Sequence, residues 1–233
     1  MGTARIELKN QLALPSPIPA TPSYSEAERQ QQEHYDRIAD QYEAHYSDPC
    51  SRLYRRRFIY QPMFDGLNLS GMKVLDAMCG SGQTSEYLLS SGAEVTGLDI
   101  SSEVIEAFRR RWPESNAVCR SALDTGLESE SFDCVAVVGG LHHMHPFLYE
   151  TISEMHRVLR PGGYLCFMEP HSGSIPDLVR RVWYKHDRFF SDNEAAIDLC
   201  GLESEFSSHF RFNRVKYMGS VGFLLVLNSM IFR

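Results

Sequence analysis

The sequence predicts an α/β fold, an open and mainly parallel sheet covered by helices on both faces, and three observations carry that reading. Short apolar runs such as Lys73-Val74-Leu75-Asp76 and Phe132–Val138 alternate with segments of helical period. The connections between them are short. A glycine-bearing turn, Cys79-Gly80-Ser81-Gly82, lies between one of these strands and the helix after it. The 233 residues suit one generous domain, or one domain with a small cap, and 43% hydrophobic residues are ample for its core.

Residues 1–24 hold Pro15, Pro17, Pro19 and Pro22 and are expected to form a disordered arm. Ser25 with Glu28 makes a capping box that opens a helix over Glu26–Tyr46, with Tyr35, Ile38, Ala39 and Tyr42 on one face. Asp48-Pro49 breaks it. A second helix over Arg52–Phe64 completes an N-terminal helical lid, residues 25–70. The core, residues 71–168, then reads as strand Lys73–Asp76, helix Gly82–Ser91, strand Glu94–Leu98 and helix Ser102–Arg111, which stops before Pro113. It continues as strands Ala117–Arg120 and Phe132–Val138, helix Phe147–Leu159 and, after Arg160-Pro161-Gly162-Gly163, strand Tyr164–Met168. Residues 169–209 are mainly polar and of helical character, a cap for the substrate side. Residues 210–233 are expected to close the fold as a hairpin of Phe210–Tyr217 and Gly222–Ile231. The second arm is apolar enough that a lipid-facing edge, or a chain that continues in a longer protein, stands as the alternative to a buried strand.

A net charge of -7 repels phosphate backbones and argues against nucleic acid as a partner. Arg55-Arg56-Arg57 and Arg109-Arg110-Arg111 read as solvated helix faces. None of the six cysteines forms a Cys-x-x-Cys pair, and Cys134 and Cys166 lie in apolar runs, which suits reduced thiols and no zinc site. The start of the chain lacks the apolar stretch of a signal peptide, Ile6 breaks the myristoylation pattern, and no segment is apolar for long enough to span a bilayer. A cytoplasmic location is expected.

The chemistry is carried by Val74-Leu75-Asp76-Ala77-Met78-Cys79-Gly80-Ser81-Gly82 and by Asp99 at the end of the next strand. Gly80 and Gly82 lack side chains where a ligand must approach the backbone. A carboxylate at position 99 can accept hydrogen bonds from both hydroxyls of a ribose. A nicotinamide dinucleotide would fit that much, but Ser85 stands where its fingerprint wants a third glycine or alanine. Asp76 at the strand end would repel a pyrophosphate and suits a cationic amino group instead.

Taken together, these residues resemble the class I, Rossmann-like methyltransferases that depend on S-adenosylmethionine, in particular the ubiquinone/menaquinone-type and small-molecule methyltransferases. The likeness covers about residues 33–168, through His34-Tyr35-Asp36-Arg37-Ile38-Ala39, Asp76–Gly82, Gly97-Leu98-Asp99-Ile100-Ser101, Ser131-Phe132-Asp133, Leu141-His142-His143-Met144 and Arg157–Gly163. The resemblance implies a three-layer sandwich around a seven-stranded sheet whose last strand is antiparallel. It implies cofactor contacts from Asp76, Cys79, Gly80 and Gly82, from Asp99 and Ile100, from the Ala122-Leu123 turn, from Gly139, and from Tyr35 or Tyr42 on the N-terminal helix. The chain departs from the family at two positions. Met78 replaces the usual first glycine of the loop, and Ser121 is the residue aligned with the aspartate that in the family often holds the adenine amino group.

Methyl transfer needs an aligned acceptor, a dry site and sometimes a base. Ligands of open α/β sheets bind at the carboxyl ends of the strands. His142 and His143 follow the fourth core strand, and Glu169 and His171 the fifth. Glu169 and His171 are the favoured bases, His142 reads as cofactor packing and His143 as a surface residue. The acceptor is expected to be a small organic molecule. The competing readings are a nicotinamide-dependent oxidoreductase and a non-catalytic module that keeps the adenosyl-ligand site.

Overall fold

The computed structural model describes residues 2–8, 28–29, 32–33, 36–37, 48–145, 147–173, 177 and 195–218. Strand β1 (Gly2–Leu8) is followed by helix α1 (Pro49–Arg55), a π-helical stretch (Arg56–Tyr60) and α2 (Gln61–Phe64). The core then alternates β2 (Lys73–Ala77), α3 (Gln83–Ser90), β3 (Glu94–Asp99), α4 (Ser102–Arg111), β4 (Asn116–Cys119), β5 (Phe132–Val138), a 3-10 turn (Leu141–His143), α5 (Leu148–Val158) and β6 (Leu159–Glu169). Helix α6 (Leu199–Phe206) and strand β7 (Phe210–Tyr217) close the described chain.

The sheet has seven strands in the order β4-β3-β2-β5-β6-β1-β7. Strands β4, β3, β2, β5 and β6 pair in parallel, and β1 pairs antiparallel with both β6 and β7. The expected seven-stranded, mainly parallel sheet is present. Among the described residues β1 runs against the other strands, and β7, the last of them, pairs antiparallel with it.

Sequence periodicity explains the central elements. In β2, Val74, Leu75, Asp76 and Ala77 are all buried, as a strand covered on both faces requires. Leu75 and Ala77 enter one core cluster with Leu98, Val135 and Phe167, while Val74 enters the other with Ile105, Phe108 and Cys134. Helix α4 begins at Ser101, whose Oγ accepts the Val104 N–H at 3.2 Å, and ends in three arginines that suit the negative end of its dipole.

Two expectations are corrected. Residues 2–8, read as part of a disordered arm, form β1. The prolines that suggested disorder begin only at Pro15, and the segment before them alternates Ala4-Arg5-Ile6-Glu7 as a strand can. Ala4 is buried in the core, and Arg5 Nη1 donates to the Asp65 carbonyl at 2.8 Å. Asp48-Pro49, read as a helix breaker, starts a helix instead. Asp48 Oδ1 accepts the N–H groups of Cys50 and Ser51 at 3.0 and 3.1 Å, and Pro49 occupies the first turn, where a missing N–H costs nothing. The described residues at 28–29, 32–33 and 36–37 are helical. Most of the expected cap, the second arm of the hairpin, Tyr35 and Tyr42 lie outside the described residues.

The chain runs outward from β2 through β3 to β4, then returns to lay β5 and β6 on the other side. Loops leaving the carboxyl ends of β2 and β5 therefore diverge over a crevice. The candidate site lies there.

Candidate active site

A cavity of about 250 Å³ opens at that crevice. Its walls come from the loop after β2, the ends of β3, β4 and β5, helix α4, and Glu28 of the N-terminal helical residues.

At one side stands Asp99. Its Oδ2 accepts the Gly80 N–H at 3.0 Å and its Oδ1 accepts the Ser101 N–H at 3.1 Å. These bonds fix the carboxylate, while burial raises its pKa above the usual carboxylate range. Gly80 lies at φ +53 and places its backbone on the cavity wall. Ile100, Ala122 and Gly139 also line the cavity, so five of the expected cofactor contacts converge on it: Gly80, Asp99, Ile100, Ala122 and Gly139.

The other four described positions have different surroundings. Asp76 is 1% exposed and does not line the cavity; its Oδ2 accepts the Ser85 hydroxyl at 2.6 Å, beneath the loop. Burial pushes its pKa up to about 7. Cys79 is buried, its thiol donating to the Gly80 carbonyl at 3.2 Å, and burial holds that thiol well above its ordinary pKa. At Gly82 (φ +88) an added Cβ would meet Trp112 Nε1 at 2.5 Å, so this glycine is required by packing against Trp112 and by backbone conformation. Leu123 packs into the core and donates its N–H to Ser121 Oγ at 3.1 Å.

Residues 75–167 match the methyltransferase-domain family model. The chain is 38% identical over 119 residues to an uncharacterized methyltransferase of Synechocystis, covering 51% of this chain and 56% of that protein. It is 34% identical over 141 residues to a malonyl-[acyl-carrier protein] O-methyltransferase of Enterobacter lignolyticus, covering 58% of this chain and 55% of the relative. The chain thus spans about half the length of these curated relatives. The crystal structure of magnesium protoporphyrin IX methyltransferase from Synechocystis with bound S-adenosylhomocysteine shares the fold, with a TM-score of 0.60 at 16% identity over 78% of this chain and 88% of that one. Residues 75–167 thus match a methyltransferase domain in sequence, and the solved structure shares the fold.

The four candidate bases separate clearly. Glu169 is 2% exposed at the end of β6. Its Oε1 accepts the N–H groups of Gly140 and Leu141, both at 2.8 Å. Its Oε2 lies 2.7 Å from His142 Nδ1 and 3.3 Å from the His142 N–H. The carboxylate thus holds the turn after β5 and does not reach the cavity. His142 is buried beside it, with its ring 3.9 Å from that of His143 between centroids. His171 bridges to Ile197 through its backbone and packs its ring 4.8 Å from Tyr217. Of the four, only His143 lines the cavity.

Sequence reasoning passed over two further wall residues. Glu28, read as part of a capping box, is buried on the wall and accepts the Ser121 hydroxyl. Met78 takes a left-handed backbone conformation (φ +56) and also lines the cavity. Its mismatch with the family's glycine was the available signal; for Glu28 none was, because the contact joins positions 93 residues apart. Among the described residues, no group of three or more His, Cys, Asp or Glu side chains is placed to hold a metal, and no helix is long and apolar enough to cross a membrane.

Proposed function

We propose that this protein transfers the methyl group of S-adenosylmethionine to a small organic acceptor. The observation that carries the reading is Asp99, pinned by two backbone N–H groups on the cavity wall at the end of β3. A fixed acceptor at this place suits the vicinal hydroxyls of a ribose. When bound, the cofactor supplies an electrophilic methyl on sulfur, so that the new bond to the acceptor forms as the carbon–sulfur bond breaks and S-adenosylhomocysteine is left. The protein's part is alignment, exclusion of water and removal of a proton where the acceptor carries one.

His143 is the side chain we assign to the proton. It lies on the wall with Met144, Val138 and Met78, an apolar surface suited to an organic acceptor. The buried Glu169–His142 pair holds the turn that presents it. The reading places Gly80, Ile100, Ala122 and Gly139 around the cofactor with Asp99.

Calorimetric titration with S-adenosylmethionine, S-adenosylhomocysteine and NAD tests the cofactor. Binding of both sulfur nucleosides without NAD is expected, and no binding of either sulfur nucleoside would end the proposal. With an acceptor in hand, His143→Gln should lower turnover about 10²–10⁴-fold, the range for a general base, with cofactor affinity retained. Full turnover in that variant would remove His143 from the chemistry. Cofactor binding without turnover on any acceptor would favour a non-catalytic module.

A further inference from the structure

Two serines, Ser121 on the cavity wall and Ser101 after β3, are built alike. Ser101 Oγ accepts the N–H of Val104 at 3.2 Å, and Ser121 Oγ accepts the N–H of Leu123 at 3.1 Å. Each bond fixes its hydroxyl, and each hydroxyl then donates to a carboxylate of the N-terminal helical residues: Ser101 to Asp36 and Ser121 to Glu28. Glu28 and Asp36 both belong to the described helical residues of the N-terminal segment. The N-terminal segment is therefore fastened beside the ends of β3 and β4 by two carboxylates.

The two carboxylates differ in their setting. Among the described lining residues, Glu28 is part of the cavity wall and Asp36 is not. The cavity wall that includes Glu28 also carries Ile100, Val104, Ala107 and Ala122, an apolar surface flanked by Glu103, Glu106, Arg110 and Arg120. Such a slot suits the flat face of a heterocycle whose ribose is held at Asp99. A carboxylate in it is an acceptor only, and it selects for a ligand that brings a donor. The 6-amino group of adenine is such a donor. A 6-oxo purine would set a second acceptor against the carboxylate, which is unfavourable.

We infer that Glu28, held by Ser121, selects adenine over 6-oxo purines, so that base recognition by the core depends on the docking of Glu28. The inference rests on the function proposed above. It adds a specificity-determining residue from outside the 75–167 domain. Cofactor affinity and docking of the N-terminal residues then rise and fall together.

The experiment is a calorimetric comparison of S-adenosylhomocysteine with S-inosylhomocysteine, its 6-oxo analogue, in the full chain and in Glu28→Gln and Glu28→Ala. The unaltered protein should prefer the adenine ligand by roughly tenfold or more, the scale of one charge-assisted hydrogen bond. Glu28→Ala should lose most of that preference. Glu28→Gln should shift it toward the 6-oxo ligand, because an amide can turn its N–H to an oxo group where a carboxylate cannot. A merely structural role for Glu28 would weaken both ligands alike, and equal losses would overturn the inference. So would an unchanged preference in a folded Glu28→Gln, with folding checked by its thermal melt. If the unaltered protein binds neither nucleoside, the function itself falls. If it binds S-adenosylhomocysteine and the preference survives both substitutions, only the role of Glu28 falls.

Discussion

The two halves of the sheet are built on different principles. On one side, β4, β3, β2 and β5 follow one another through short connections, and each strand–helix step can be seen in a local stretch of sequence. On the other, β6, β1 and β7 meet only through long-range pairing: Gly2 lies opposite Glu169 on one edge and Tyr217 on the other. The first half carries most of the cavity wall. The second holds the turn of Gly140, Leu141 and His142 in place, because Glu169 at the end of β6 accepts its N–H groups. Alignment at the site therefore depends on an edge made by the first residues of the chain.

Removing residues 2–8 is the strongest way to test this dependence. Without β1, β6 and β7 stand two strand spacings apart, roughly 10 Å, with facing edges unpaired. The truncated chain should lose cooperative unfolding or melt on the order of 10 °C lower. Ala4→Asp, which puts a charge at a site 2% exposed, should act in the same direction with the chain length intact. A truncated chain that melts like the full one would show that β1 contributes nothing to the edge.

The same contrast explains what the sequence disclosed. Helix α4 and strand β5 were readable to the residue, because Ser101 caps the one and an unbroken apolar run makes the other. Gly80 and Asp99 stand out from their places at strand ends, and Ile100, Ala122 and Gly139 only through the family resemblance; all five line the cavity. Strand β1 was hidden by the prolines that follow it, and its partners lie far along the chain. Glu169 was chosen as a base from its place after β6, but no local pattern reveals that three backbone N–H groups and an imidazole converge on it. Gly82 is expected at the ligand because it lacks a side chain, whereas its contact with Trp112 is tertiary.

A smaller effect is expected where the loop after β2 meets the loop after β5. An added Cβ at Gly140 would lie 2.7 Å from Met78 Sδ and 3.0 Å from Met78 Cβ. Gly140→Ala should therefore destabilise by roughly 1–3 kcal/mol through overpacking. Met78→Gly removes both the obstacle and a left-handed non-glycine residue, whose own cost is about 1–2 kcal/mol. The double variant should recover at least about 1 kcal/mol relative to the sum of the single ones, measured by denaturant unfolding. Strict additivity would mean that the two loops do not press on each other, and that Met78 does not shape the cavity through Gly140.

The smallest effect separates the two halves by the sign of their pH response. In the first half, burial raises the pKa of Asp76 to about 7, so the folded chain holds a proton that the unfolded chain releases near pH 4. Its contribution to stability is greatest at low pH and declines as pH rises from about 4 to about 7. Asp99, raised by the same cause, has the same sign. In the second half, His156 lies in edge contact with Phe210 of β7, ring centroids 5.3 Å apart, and burial lowers its pKa to about 4. The unfolded chain binds that proton near pH 6.5, so the His156 contribution is full above that value and is lost as pH falls toward 4. Between about pH 4 and 6.5 the two slopes oppose each other. Asp76→Asn keeps an acceptor for Ser85 and removes one slope, so stability should then rise more steeply with pH over that window. His156→Phe removes the other, leaving a decline from about pH 4 to 7. Melting curves across that range for the three proteins decide it: parallel profiles would show that neither buried group titrates differently on folding, and that the two halves are electrostatically alike.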